Sequence, residues 1–449
     1  MNCGRAHDNV VFFYVPCLVK NGSKAIQTAK KALVDSASWK RENLHTHKFY
    51  RFITNKLKVS TDNPGCSLFR LKENASNHSF ILENKWSIVD PKTTGNEPVQ
   101  VLDFKIENVY LVLFDTAVFF FVFQVSFLNP EHSMRKMANS LYFLKKPAEI
   151  KISTKIHNKQ KKKQLVDIVK EIIGVSFEKY SIEYEVFFYL DEKYARSNYL
   201  LMTKAPGNIS EDELHQSLYF LRNGFSDRYK VVNDNCQDYN GPNGRHWGIT
   251  SESSVCIIED STNFLVENKQ FAEFKTEYFI IYTLLLFQKY TYFYLLNVLS
   301  CLNYGKKKEL KKYKELLSDF ERDYVFSVIT DIPQYKEVYE LIVEKLNLAR
   351  LSNDVQVPIK ELDDRTQASH ERRIEAIGFL FSVLGVFSII VDGNQVFQMF
   401  SGLNIVNEVS KIISFDFGIG LLRNDFIKTG ALLTLGLIFV VVLRKLFKK

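Results

Sequence analysis

A polar triplet, Asp392-Gly393-Asn394, directly follows a long apolar run that covers residues 377–391. Rings of acidic side chains select cations in channels, and an amide oxygen beside them adds a further ligand for a hydrated cation. The same residue types are also good turn formers. The triplet is therefore a candidate pore mouth if several copies of the chain surround one axis, and otherwise a plain turn.

Small and hydroxyl-bearing residues recur within the apolar run, at Ser382, Gly385 and Ser388. A spacing of three residues keeps them near one side of a helix. Such residues either line a pore or allow a neighbouring helix to approach closely. They are the candidate pore-lining residues of this sequence.

A lysine-rich stretch, "HNKQKKKQ", covers residues 157–164. Lys161, Lys162 and Lys163 could bind phosphate or face anionic lipid. The alternative is a solvated loop or the start of a helix.

A turn-rich stretch, residues 233–250, reads as a loop because Gly and Pro punctuate it. It brings Asn243, Arg245, His246 and Trp247 together, and these side chains could hydrogen-bond to a planar ligand and stack on it. Loops on rigid scaffolds often carry binding groups, although many only connect elements. The four residues are a second candidate ligand site.

Signatures of several enzyme classes are absent from the sequence, which has no P-loop, no dinucleotide glycine fingerprint, no H-E-x-x-H and no G-x-S-x-G. Its six cysteines are scattered without C-x-x-C spacing, which argues against a zinc ribbon or a disulfide scaffold and favours a reducing compartment. The net charge of +8 is compatible with several anionic partners and singles out none. We expect no enzyme activity and no nucleic-acid partner.

The elements that would position these residues begin with a β-rich part. Residues 10–19 are apolar but lack a cationic start, so they predict a strand instead of a signal peptide. Residues 108–127 predict a hairpin turning near Asp115 and Thr116, and residues 180–190 predict another strand. Because the hairpin is apolar on both faces, we expect it at the centre of the sheet, covered by helices.

Helical patterns dominate after residue 273. Residues 279–302 are long enough to cross a bilayer, but Gln288 and Lys289 in the middle favour a central helix of the soluble domain. Pro358 suits the first turn of a further helix, which would run to residue 391 and change from charged to apolar on the way.

A second apolar run, residues 429–443, is followed at once by "RKLFKK". Both apolar runs are shorter than the roughly 20 residues that cross a bilayer, but flanking Lys and Arg side chains can reach the interface. The charge distribution places both termini in the cytosol and the connection outside.

The predicted fold class is an α+β (α/β) cytosolic domain followed by long stalk helices and a C-terminal two-helix transmembrane hairpin. We expect a domain at 1–270, its helical part at 271–357, and a stalk continuing into the first span at 358–391. An external connection at 392–428 and a second span with a basic tail at 429–449 complete the chain.

This layout resembles the CorA family of divalent-cation channels, whose members are homopentamers with the first span lining the pore. The resemblance covers most of the chain but concerns architecture. The family signature Gly-Met-Asn is replaced here by Asp392, Gly393 and Asn394, and the external connection is longer than the short loop of the family.

A second branch of the resemblance consists of CorA-like membrane effectors of bacterial antiviral systems, including type III CRISPR loci, in which a nucleotide-derived messenger acts on the cytosolic part. The resemblance implies a homo-oligomeric channel or effector in the inner membrane, with Mg²⁺ or a nucleotide-type ligand as its candidate small molecule. Two alternatives stay open: a conventional magnesium transporter, and a membrane-anchored binding protein without a pore.

Overall fold

The computed structural model describes residues 9–401 apart from gaps at 21, 44–45, 58–64, 74–80, 83, 90–98, 129–133, 157–158, 206–208, 225–238, 243, 260–263 and 303–306. The chain divides into two compact units. The first comprises Met1–Asn303 and Lys308–Pro358, and the second comprises Tyr304–Lys307 and Ile359–Lys449.

Thirteen strands in the described part of the chain form a large sheet. Their bounds are β1 Asn9–Val19, β2 Trp39–Glu42, β3 Ser67–Leu71, β4 Lys85–Val89, β5 Phe104–Leu113, β6 Val118–Phe127, β7 Lys151–Ile156, β8 Lys159–Gln164, β9 Tyr184–Val186, β10 Asn198–Lys204, β11 Tyr239–Gly241, β12 Arg245–Ile249 and β13 Ser253–Ile258. The main strand order is β11-β12-β13-β10-β1-β6-β5-β4-β7-β8, and β2, β3 and β9 pair beside it. The described pairs are antiparallel except β10 with β13, which is parallel.

The described part of the chain contains ten α-helices. They are α1 Ser23–Val34, α2 Arg51–Leu57, α3 Met134–Leu144, α4 Leu165–Phe177, α5 Glu211–Asn223, α6 Phe264–Glu273, α7 Phe279–Ser300, α8 Lys307–Tyr324, α9 Pro333–Lys345 and α10 Leu348–Ser401. A π-helical turn, Phe274–Tyr278, joins α6 to α7. Helices α1, α3, α4 and α5 pack their apolar sides on one face of the sheet, and α7 lies across the other.

The central strands confirm the predicted hairpin. β5 and β6 pair from Phe104 opposite Phe127 to Leu113 opposite Phe119, and every residue of β6 is buried. The predicted N-terminal strand is β1, which lies between β6 and β10. The mixed α/β architecture expected for the N-terminal part is therefore confirmed. The strand predicted at residues 180–190 is shorter, because only Tyr184–Val186 pairs with β1.

Helix α7 lies in the core of the first unit. Its rings pack on the central strands: the centroids of Phe279 and Phe12 are 4.9 Å apart, and those of Tyr282 and Tyr14 are 5.3 Å apart. The Tyr14 hydroxyl lies 3.1 Å from Thr283 Oγ1. The polar Gln288 is satisfied by donating from Nε2 to the Tyr324 carbonyl at 2.7 Å.

The continuous helical stretch Leu265–Ser300 is, within the described residues, the one helix that meets the length and hydropathy criteria for a membrane span. Of the most apolar 18-residue segment of this stretch, 78% is buried inside the protein. A core helix has this composition because it is apolar on all sides. The packing therefore agrees with the predicted central helix.

Helix α10 corrects two expectations about the stalk. Pro358 lies inside this helix and not in its first turn, because the helix already begins at Leu348. The triplet Asp392-Gly393-Asn394 was expected to end the helix, but the helical backbone continues to Ser401. Residues 402–449, which include the predicted connection and second span, lie outside the described residues.

The second half of α10 exposes large apolar side chains. Phe381 is 69% exposed and Ile374 is 65% exposed, and Ile377, Phe379 and Leu384 are also exposed. Glu375 is the single charged residue between positions 374 and 391. Exposed apolar residues in such density mark a surface that is covered by another molecule or by lipid.

We predict that Phe287→Ala destabilises the first unit strongly. The Phe287 ring is fully buried and stacks on Phe114, with the ring centroids 3.6 Å apart. Loss of a buried phenylalanine costs about 3–5 kcal/mol in free energy of unfolding. Urea unfolding followed by tryptophan fluorescence measures it, because the three tryptophans, Trp39, Trp86 and Trp247, are buried in this unit.

The matched control is Phe52→Ala, since the Phe52 side chain is 54% exposed. We expect it to cost about 1 kcal/mol or less. Equal effects of the two substitutions would contradict a core position for α7.

A pocket and a buried ion-pair cluster on one face of the sheet

The predicted ligand residues of the 233–250 stretch lie on a strand and not in a loop. Arg245, His246 and Trp247 belong to β12, where the side-chain alternation sends Arg245 and Trp247 to the face covered by α7. Trp247 is 1% exposed and packs on Tyr278, with the ring centroids 4.7 Å apart. Asn243 lies outside the described residues.

His246 has the opposite orientation and is held by two polar partners. Its Nδ1 lies 2.9 Å from Asn240 Oδ1, and its Nε2 lies 2.8 Å from Glu259 Oε1. Both ring nitrogens therefore have partners in this structure. A ligand role for these residues stays a prediction.

The predicted lysine patch also lies on a strand, where a loop or helix start was expected. Lys161, Lys162 and Lys163 belong to β8, the last strand in the sheet order, which pairs with β7. Lys163 forms an ion pair with Glu171. Lysines on an edge strand discourage pairing with other chains, which is a structural role that such residues often have.

The candidate pore-lining residues lie in the second half of α10. Ser382, Gly385 and Ser388 are exposed, and Ser382 Oγ donates to the Gly378 carbonyl at 2.9 Å. At 100° per residue they fall within an arc of about 120° on the helix. The backbone of Asp392, Gly393 and Asn394 is helical and belongs to α10.

A buried carboxylate, Glu273, organises an ion-pair cluster that the sequence did not reveal. Arg245 donates from a terminal nitrogen to Glu273 Oε2 at 2.7 Å, and Lys48 donates from Nζ to Glu273 Oε1 at 2.9 Å. The side chains of Arg245 and Glu273 are 3% and 7% exposed. Burial opposes the charged form of Glu273, but hydrogen bonds from Lys48 and Arg245 outweigh it and lower the pKa of this carboxyl group.

The cluster ties together segments that are far apart in sequence. Lys48 Nζ also donates to the Tyr335 hydroxyl of α9 at 2.7 Å, and it lies 3.7 Å from Glu277 in the π-helical turn. The Thr46 hydroxyl donates to Glu277 at 3.1 Å. The turn, strand β12, helix α9 and the segment before α2 therefore meet at shared charges.

A pocket of about 300 Å³ opens beside the same π-helical turn. Its polar wall includes Lys40, Glu42, Arg70 and Lys275, and its apolar wall includes Tyr110 and Phe279. The volume is at the lower end of the roughly 300–1,000 Å³ that is usual for small-molecule sites. The pocket is therefore large enough for a small ligand.

The pocket lies where the sheet forks. Strand β5 pairs with β3 from Tyr110 to Leu113, but it pairs with β4 at Phe104 and Lys105. A bulge interrupts the β5–β6 ladder between Ile106 and Asn108. Bulges re-aim side chains and often occur next to functional sites.

Positive charge is in excess on the polar wall. Glu42 is shared by Arg70, whose Nε lies 3.0 Å away, and by Lys40, whose Nζ lies 3.5 Å away. Among the described residues, no carboxylate forms an ion pair with Lys275. Desolvation lowers the pKa of Lys275, and the negative charge of Glu107 only partly opposes this shift.

The π-helical turn belongs to both features. Glu277 in the turn and Glu273, the last residue of α6 directly before it, hold the ion-pair cluster, while Lys275 and Thr276 of the turn line the pocket. A movement of this turn would therefore change the pocket and the cluster together.

Within the described residues, no group of three or more His, Cys, Asp or Glu side chains is arranged to hold a metal ion. No protein-family model, no curated protein and no solved structure matches the chain. The functional argument therefore depends on the chemistry of the pocket, the cluster and helix α10.

We predict that Glu273→Gln destabilises the first unit by about 3–5 kcal/mol near neutral pH, because it leaves the buried guanidinium of Arg245 without its carboxylate. Since the folded pKa of Glu273 is lowered, its stabilising effect is present above the unfolded pKa of about 4.3 and is lost as pH falls through the folded value. The difference in unfolding free energy between wild type and variant should therefore shrink below about pH 4.3. Tryptophan-monitored unfolding from pH 3 to 7 measures it.

The control is Glu344→Gln, because the Glu344 side chain is 70% exposed. We expect a change within about 0.5 kcal/mol at every pH. A pH-independent cost of Glu273→Gln would contradict the assignment of the stabilisation to its charge.

Proposed function

We propose that the chain is a CorA-like homo-oligomeric membrane channel or effector whose N-terminal domain binds a small ligand and gates a pore lined by the first span. In this proposal residues 377–391 cross the inner membrane and both termini are cytosolic. The proposed pore-lining residues are Ser382, Gly385 and Ser388, and the stretch around Asp392 and Asn394 lies at one end of the pore.

The observation that carries the proposal is the exposed apolar segment of α10 between Ile374 and Leu384. In the first unit, α10 is anchored by ordinary packing, with Val355 fully buried and Leu348 5% exposed. From Ile374 to Leu384 the same helix is mostly apolar in sequence and its large apolar side chains are exposed. A helix that is apolar on all sides belongs in a membrane or in the core of a larger assembly.

The distribution of the exposed residues favours lipid together with helix contacts. Ile374, Ile377, Phe381 and Leu384 fall within an arc of about 80° at 100° per residue, and Phe379 lies on the other side. Gly378 and Gly385 have open space where a side chain would be. Both glycines fall within about 40° of Ile374, so small and bulky residues share one side of the helix, and small residues among bulky ones allow a second helix to approach closely.

The pocket supports the ligand-sensing part of the proposal. A ligand shifts a conformational equilibrium only if it binds one state better than the other. The π-helical turn provides a physical route, because Lys275 lines the pocket while Glu273 and Glu277 hold Lys48, which is bonded to Tyr335 of α9. Closing the pocket on a ligand would therefore act on the contacts that fix α9.

We predict that the full chain behaves as an integral membrane protein and that Phe381→Glu weakens this behaviour. A charged residue in the middle of a span costs about 2.5–3.5 kcal/mol on insertion scales. Carbonate extraction of membranes from expressing cells measures the retained fraction, and native mass spectrometry in detergent measures the number of subunits.

Gln367→Glu is the matched control, because it places the same carboxylate at an exposed position in the charged half of α10. It should leave both readouts unchanged. Release of the wild-type chain by carbonate would contradict a membrane span, and a monomer would contradict a pore on a symmetry axis.

Ion flux into liposomes separates the proposed channel from its alternatives. Flux that depends on an added ligand supports an effector. Constitutive Mg²⁺ flux that is lost in Asp392→Ala and Asn394→Ala supports a conventional transporter. A membrane-bound oligomer without flux under either condition supports an anchored binding protein.

A further inference from the structure

We propose that the pocket between β2, β3, β5 and the π-helical turn binds a small organic anion that carries an aromatic ring, of mononucleotide size or smaller. This inference names the ligand chemistry of the proposed function and rests on its ligand-sensing part. The pocket contains residues that the sequence alone did not single out, and it provides separate binding groups for a negative charge and for a planar ring.

The anionic part of the ligand is inferred from the charge balance of the wall. The wall contains three cationic side chains, Lys40, Arg70 and Lys275, and a single carboxylate, Glu42. Because Glu42 is already shared by Arg70 and Lys40, it has little capacity left for Lys275. A phosphate or carboxylate group could accept hydrogen bonds from Arg70 and Lys275 and would supply the missing negative charge.

Arg70 is held in position for such a contact. Its Nε donates towards Glu42 Oε1 at 3.0 Å, and a terminal nitrogen donates to Asn108 Oδ1 at 3.4 Å. Asn108 is in turn fixed because its Nδ2 donates to Gln124 Oε1 at 2.9 Å. A preorganised guanidinium loses less conformational entropy on binding than a free one.

The planar part of the ligand is inferred from the aromatic wall. Tyr110 and Phe279 line the pocket with their ring centroids 5.9 Å apart, and Phe12 also lines it, with its ring centroid 4.9 Å from that of Phe279. The Tyr110 hydroxyl donates to Gln124 Oε1 at 3.0 Å, which fixes its ring. Rigid aromatic side chains provide binding area at low conformational-entropy cost and accept planar rings.

Other ligand classes fit the wall less well. A metal cation would face three cationic side chains and one carboxylate, which is the wrong sign of charge. A volume of about 300 Å³ admits a small molecule but not a folded domain or a duplex.

AMP is the probe that carries both features, whereas adenosine supplies the ring alone and inorganic phosphate supplies the charge alone. We expect the full chain in detergent to bind AMP at least about tenfold more tightly than either fragment, because charge-assisted hydrogen bonds and ring contacts add. Equilibrium dialysis with labelled AMP, and competition by adenosine or phosphate, measures the three affinities.

Lys275→Glu should weaken AMP binding by about tenfold or more, because it replaces the unpaired cation by a like charge. The matched control is Lys269→Glu, which makes the same change at an exposed lysine of α6 outside the pocket and should leave the affinity unchanged. Arg70→Gln provides a second pocket variant. Tryptophan-monitored unfolding confirms that all three variants are folded.

The outcomes are decisive for the pocket. No saturable AMP binding, adenosine binding as tightly as AMP, or equal losses for Lys275→Glu and Lys269→Glu would each overturn the inference. These results are independent of membrane retention and subunit number. Pocket binding in a chain that carbonate releases would refute the membrane proposal alone, and a membrane oligomer that does not bind AMP would refute the pocket alone.

Discussion

The fold of the first unit depends on one constraint: the central strands are apolar on both faces. Strands β1, β5 and β6 carry large apolar residues on both faces, and each face has to be removed from water. One face is covered by α1, α3, α4 and α5, and α7 covers the other through rings such as Phe279 and Tyr282 packed on Phe12 and Tyr14. This requirement explains why a helix as apolar as a membrane span lies inside a domain.

Charges are buried on the same face, and they are stable only as a group. Glu273 and Glu277 together balance Arg245 and Lys48, so removing any one of the four would leave the cluster with one uncompensated charge in a region of low polarity. A buried ion pair is weak evidence for net stability, but its geometry selects one arrangement of the segments that carry it. Here those segments include the π-helical turn that also lines the pocket, so the cluster fixes the shape of the pocket wall.

The sequence predicted the elements whose order of polar and apolar residues follows from their burial in the protein. The hairpin around Asp115 and the buried helix containing Gln288 were predicted because their composition follows from burial. Strand β8 was not predicted, because its lysines show no alternation of polar and apolar residues. The bond between Lys48 and Glu273 joins residues 225 positions apart, and no local pattern contains such a pairing. The central strands are therefore predictable from the sequence, whereas most of the outer strands, and the pocket that depends on a bulge and on distant charges, are not.

The preference of proline for the first turn of a helix gave a wrong prediction for Pro358, but the position of this residue in the structure has a physical consequence. Proline suits a first helical turn, which led to the prediction that a helix begins there, yet inside a helix it removes one hydrogen bond and crowds the preceding turn. The structure has it inside α10, at the position where the chain divides into its two compact units. A weakened turn at that position is a natural point for bending.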